Sequence, residues 1–192
     1  MLNSFHGLSM GAPEVSLALG ISKRAFPQTR QISILAARSV QLKDFGTDDN
    51  FVLLGSPRSN PWVELFQDRM DFQFFYDPST SREVVRDRKP HKGELPLYRP
   101  SARGWGTGDA FGVIAFIANP NQRGHLLLIA GSSAEATEAA GKFVLNRDTL
   151  ANVLRLNGIS PDGSPLSFEV LLRVDTMAGS PNSYEIVAFH RL

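Results

Sequence analysis

The chain has 192 residues, 42% of them apolar and 20% charged, with a net charge of +1 and no cysteine. That is enough for one domain with a sizeable core, and the composition is globular, not disordered. It excludes disulfides, thiolate metal sites and cysteine nucleophiles, and it gives no global electrostatic case for nucleic acid.

The opening MLNSFHGLSMGAPEV lacks the basic and continuous apolar regions of a signal peptide. No stretch reaches the roughly 18 apolar residues that span a membrane. The expectation is a cytoplasmic protein with a flexible segment at 1–10 and a single α/β domain at 11–192. Residues 13–26 keep helical spacing through Val15, Ala18, Leu19 and Ile21, with Pro13 suited to the first turn and Gly20 weakening the middle. In QISILAARSV, Ile32, Ile34 and Leu35 predict a strand, and residues 42–45 predict a helical turn. The run FVLL (51–54) is continuous and apolar, the pattern of a strand buried on both faces. Residues 61–70 predict a helix whose apolar side is Trp62, Val63, Leu65 and Phe66. DFQFFYD (71–77) alternates as a strand, and REVVRDR (82–88) pairs with it across the PSTS turn (78–81). Residues 89–109 show no period, and loops of that length are usually lids, binding loops or disorder.

The second half is more strongly patterned. AFGVIAFIA (110–118) and HLLLIA (125–130) are apolar runs joined by the turn-rich NPNQRG. A helix follows over 134–145, then a shorter one over 148–156. SFEVLLRVDT (167–176) and SYEIVAFHRL (183–192) read as strands. Strands and helices alternate, which predicts a single-domain α/β sandwich with a mixed, mostly parallel central sheet and helices on its faces. The strands at 51–54, 110–118, 125–130 and 167–176 are expected at its centre. Val52, Leu53, Val63, Phe66, Ile114, Leu127, Ile129, Ala140, Val170 and Leu172 are expected in the core.

Two junctions share one design: a buried strand, a glycine at its carboxyl end, small polar residues, then a helix. In open α/β sheets ligands collect at such ends, where free helix N–H groups favour anions. The candidate binding residues are therefore Gly55, Ser56, Arg58, Ser59 and Asn60 at the first junction. At the second they are Gly131, Ser132, Ser133 and Thr137. The glycines would let a ligand approach the backbone, the serines would donate to it, and Arg58 would supply the fixed positive charge, all within one pocket. Folding alone also explains much of this. Ser132 and Glu135 have capping-box spacing, Asn60 is an N-cap before Pro61, and Glu138 and Lys142 form a surface i,i+4 pair.

Together FVLLGSPRSNPWVELF, FGVIAFIANP and HLLLIAGSSAEATEAAGKFVL resemble an uncharacterised bacterial domain family. Its members stand at the C-terminal end of modular regulators, behind winged-helix DNA-binding or helical-repeat modules. The likeness covers residues 10–192 and implies an isolated domain, or a paralogue lacking the DNA-binding module, with a role in sensing or regulation. Gly55 and Asn60 lie one residue further apart than in some relatives. Ala136-Thr137 replaces the family's Gly-Thr dipeptide, while Thr137, Ala139, Ala140 and Gly141 are retained.

The residues show no catalytic constellation and no H-x-x-x-H metal spacing, so neither catalysis, metal nor cofactor is expected. His6 and His190 sit near the ends, His125 opens a strand as a structural residue, and His91 lies in the patternless loop. Asp87 reads as a surface partner for Arg86 or Arg88. Residues 82–103 hold seven Lys/Arg against three Asp/Glu, a solvated loop or a cover for an anion held by the two junctions. The functional expectation is a ligand-binding or sensory module of a bacterial regulatory system, taking a small anionic or nucleotide-like ligand. One alternative is an interaction or dimerisation module pairing through the 71–76 strand or the C-terminal strand, as a homodimer or with a regulatory partner protein. Another is a nucleotide-processing hydrolase using Asp109 or Glu135.

Overall fold

The computed structural model describes residues 12–25, 27, 31–101, 106–121, 123–159 and 167–192. The segment expected to be flexible, 1–10, lies outside them. In chain order the elements are α1 (Ala12–Ala25), β1 (Phe51–Leu54), β2 (Phe72–Asp77), β3 (Arg82–Asp87), β4 (Leu97–Tyr98), β5 (Gly108–Ala118) and β6 (His125–Gly131). They continue with α2 (Ala134–Leu145), α3 (Arg147–Leu156), β7 (Phe168–Met177) and β8 (Ser180–Arg191). Short 3-10 segments fall between α1 and β2.

The main sheet has the order β1-β6-β5-β7-β8. Only β1 and β6 pair in parallel; β6–β5, β5–β7 and β7–β8 are antiparallel. The expectation of a mostly parallel sheet is therefore wrong, and connection length supplies the reason. A parallel pair needs a long crossover, whereas β5–β6 and β7–β8 are joined by short turns that reverse the chain. The second turn is a two-residue loop, Ala178 (φ 51°) and Gly179 (φ 76°), both left-handed. Continuous apolar runs misled because they report burial on two faces and not strand direction.

The two faces are covered differently. On one, Phe111, Val113, Ala115, Leu126, Leu128 and Leu171 share a core with Phe72, Phe74, Val85 and Tyr98 of a second sheet. That sheet is antiparallel, with the order β2-β3-β4. On the other face, Ile114, Ile129, Val170 and Leu172 pack with Ala136, Ala140 and Phe143 of α2 and Val153 of α3. Leu17 of α1 lies against α2 at Gly141. Among the described residues the α-helices thus cover one face, and the expected helices on both faces are not found.

Several local expectations change. β1 is an edge strand and not a central one, which leaves Val52 42% exposed while Leu53 is buried. Leu127 is only partly buried. Residues 61–70 form two 3-10 segments, Pro61–Leu65 and Gln67–Arg69, and no α-helix. Val63 and Phe66, three apart, are the pair that buries, and Leu65 stays 48% exposed. Ile32, Ile34 and Leu35 are exposed and pair with no strand among the described residues. The β2–β3 hairpin and the helices over 134–145 and 147–156 stand where the patterns put them.

Candidate functional site

The two junctions leave the same end of adjacent parallel strands, and the Gly55 amide donates to the Ile129 carbonyl at 2.9 Å. They then turn to opposite faces. After Gly55 the chain enters the core shared with the second sheet, and after Gly131 it enters α2 on the helical face. Each candidate residue has a local partner. The Ser56 hydroxyl donates to Glu83 Oε2 at 2.5 Å, and the Ser59 hydroxyl donates to the Ser56 carbonyl at 3.2 Å. Asn60 accepts from the Trp62 amide and donates to the Leu54 carbonyl, both at 3.2 Å, so it caps the segment that follows. Ser132 accepts from the Phe111 amide at 2.9 Å and is no helix cap; Ser133, one residue on, caps α2 by accepting from Ala136. Thr137 is buried and donates back to the Ser133 carbonyl at 3.1 Å.

Both glycines have structural causes. Gly55 has φ 93°, and a Cβ on Gly131 would collide with the Thr137 nitrogen. Arg58 lines a cleft with Pro57, Glu64, Phe74, Tyr76 and Glu83, and no residue of the second junction lines that cleft. The structure gives Arg58 and Ser132 separate surroundings.

A different constellation lies between the two sheets. Glu169 and His190 are direct cross-strand partners on β7 and β8. Strand alternation puts Glu169 on the side of Leu171 and His190 on the side of Ala188, the side facing the second sheet. From that sheet come Asp71, just before β2, and Asp87, the last residue of β3, which end the hairpin at its open side. The segment between β3 and β4 adds Lys89, His91 and Glu94.

His190 is fully buried at the centre. Its Nδ1 lies 3.3 Å from Asp71 Oδ2, and its Nε2 lies 3.0 Å from Glu94 Oε2 and 3.7 Å from Asp87 Oδ2. Phe72 packs on one side of the ring at 4.5 Å and the exposed His91 on the other at 4.2 Å between centroids. Lys89 Nζ reaches Asp71 Oδ1 at 3.0 Å. Glu169 Oε2 accepts from the amides of Asp71 and Phe72 at 2.9 and 3.0 Å, tying the main sheet to the start of β2. Two of the cluster's carboxylate oxygens, Glu169 Oε1 and Asp87 Oδ2, are buried without a hydrogen-bond partner among the described residues, as are Glu14 Oε2 and Asn119 Oδ1 elsewhere. Such atoms are uncommon in folded proteins and point to a missing partner.

Burial governs the acids. It pushes the Glu169 carboxyl up to about 8, against the two amides that favour its charged form, so the group holds a proton at neutral pH. It also raises Asp87, whose Oδ1 accepts from the Lys89 amide. For Glu94 burial is outweighed by hydrogen bonds from His190 and the His91 amide, which hold the group below its ordinary range.

The donor atoms of His91, Glu94 and His190 all lie within 4.8 Å of one another, and those of Asp71, Glu169 and His190 do so as well. His91 Nδ1 is 3.8 Å from Glu94 Oε2. Donors about 2.0–2.1 Å from a tetrahedral zinc ion stand about 3.3–3.4 Å apart, and the separations of 3.0 and 3.8 Å from Glu94 Oε2 to the two imidazoles bracket that value. Asp71 stands behind the ring at Nδ1, where a carboxylate fixes the tautomer that turns the Nε2 lone pair to a metal. On the Nε2 side Asp87 is itself buried and Glu94 mostly so, and His91 at the edge of the cluster has a side chain 62% exposed.

Sequence reasoning missed this cluster. Asp87 is buried and not a surface partner, and His190 belongs to the core. The clues were Glu169 among the apolar residues Phe168, Val170, Leu171 and Leu172 of β7 and the period-2 alternation of β3, which puts Asp87 on the side of Val85. His125 stacks on Phe116 at 4.9 Å as a structural residue. Asp109 pairs with Ser101, away from the cluster. Among the described residues, no helix is long and apolar enough to cross a membrane. Comparison with protein-family models, curated proteins and solved structures finds no match.

Proposed function

We propose that this chain is a ligand-binding module whose ligand is a divalent transition-metal ion, held between the two sheets by His91, Glu94 and His190 with Asp87 at its margin. The observation that carries the reading is the convergence of those three donors around a buried imidazole whose far nitrogen faces Asp71. Asp87 Oδ2, fully buried without a hydrogen-bond partner among the described residues and 3.7 Å from the same Nε2, supports it further. Two imidazoles and a carboxylate suit zinc, iron, cobalt or nickel better than calcium or magnesium, which prefer all-oxygen shells. Three protein donors leave the fourth position of a tetrahedral ion for water or a further ligand. The ion would tie the segment between β3 and β4 to both sheets, which fits the sensory role implied by the family resemblance.

Calorimetric titration of chelator-treated protein with zinc, nickel, manganese and calcium tests this. One transition-metal ion per chain is expected, with calcium failing to bind. At 100 times its dissociation constant the ion should add about 2.7 kcal/mol to stability. His190→Gln and Glu94→Gln should abolish binding, while Asp44→Asn, far from the cluster, should not. Saturable binding that survives both site variants would place the ion elsewhere and end the proposal.

A further inference from the structure

The cleft beside Arg58 is separate from the metal site. It has a volume of ≈ 370 Å³ and is lined by Pro57, Arg58, Glu64, Phe74, Tyr76 and Glu83. Glu83 is nearly buried, at 7% exposure, and belongs to β3. Its Oε2 takes the Ser56 hydroxyl and its Oε1 the Arg58 amide at 3.3 Å. Glu64, on the first 3-10 segment, accepts from Gln67 Nε2 at 3.0 Å. Burial raises the Glu83 carboxyl and the Glu64 charge raises it further, despite the two donors and the Arg58 charge. Neither carboxylate has an ion-pair partner among the described residues. The one nearby cation does not bridge them: the Arg58 guanidinium lies over the Tyr76 ring, 5.7 Å from its centroid.

An anion drawn to Arg58 would therefore meet two carboxylates. A cation would find what the cleft lacks. Arg58 already demonstrates that the Tyr76 face accepts a guanidinium, an arrangement held by the ring quadrupole. We infer that this cleft recognises an alkylguanidinium or alkylammonium group, whose charge meets Glu83 and Glu64 and whose stem lies along Phe74 and Tyr76, displacing Arg58 from the Tyr76 face. The group belongs either to a free amine or to an arginine or lysine side chain of a partner.

The test is an amide-resolved NMR titration with three probes: agmatine, a capped Gly-Gly-Arg-Gly-Gly peptide, and inorganic phosphate. The inference expects saturable shifts at Arg58, Tyr76 and Glu83 with at least one of the two cations, and none with phosphate. Tighter binding of agmatine assigns the site to free amines, and tighter binding of the peptide to a partner's side chain. Glu83→Gln, which can keep its contact with Ser56, should weaken binding about tenfold or more. Glu64→Gln, at an exposed residue that cannot unfold the protein, should also weaken it. Arg58→Ala should tighten it about two- to fivefold by freeing the ring. Phosphate binding that is lost in Arg58→Ala overturns the inference. So does cation binding indifferent to Glu64→Gln, or no saturable shift with either cation.

Discussion

Glu169 shows how one residue can join two layers. Its backbone belongs to a central strand, and its carboxyl group holds the two amides that start the second sheet. Desolvation raises that carboxyl to about 8 from 4.5, so the folded state binds a proton that the unfolded chain releases at lower pH. The stabilisation is complete below the unfolded value and is lost as pH rises through the folded one, at about 1.4 kcal/mol per pH unit in mid-window. Glu169→Gln keeps an acceptor for the amides and cannot ionise. In metal-free protein, urea unfolding at pH 6 and pH 8.5 should show the wild type losing more stability than the variant. Equal losses would mean that Glu169 ionises as freely in the fold as outside it. Little of this was legible, because the partners come from chain positions about a hundred residues away. Asp87 could have been placed: counting by two from the buried Val85 puts it inside, between the outward Arg86 and Arg88. The charges on either side obscured that period.

At the scale of elements, the sequence pattern was a good guide to where strands and helices lie and a poor one to how they pair. The β2–β3 hairpin and α2 were readable because alternation and a capped apolar stripe are local properties. The 3-10 segments at 61–69 were misread because Val63 and Phe66 satisfy the spacing of either helix type. Strand direction is not local, and β1 lies parallel to β6 only because the whole second sheet is built between them. The β7–β8 turn makes a separate demand. It places Ala178 at φ 51°, where a Cβ costs about 1–2 kcal/mol and asparagine is better tolerated. Ala178→Asn should therefore stabilise the protein by about 0.5–1 kcal/mol in thermal or urea unfolding, without changing metal binding. A loss of stability would show that this turn has another conformation.

The whole molecule is a five-stranded sheet with a core on each face, one made with helices and one with a smaller sheet. Its centre is β5, flanked on both sides, and its edges are β1 and β8. Hydrogen exchange should follow that order, slowest at Val113, Ile114, Leu171 and Leu172, all fully buried, and faster along β1, which has a single ladder. Equal protection in β1 and β5 would show that the sheet opens only as a unit. The pairing of His190 with Asp71 spans 119 residues, and this has a consequence for biosynthesis. At about 5–20 residues per second, a ribosome needs roughly 6–24 s to travel from one partner to the other. For most of that interval the acids at 71, 87 and 94 stand on the nascent chain with His91 beside them but without the His190 imidazole. An ion that depends on His190 can load only after translation has passed β8.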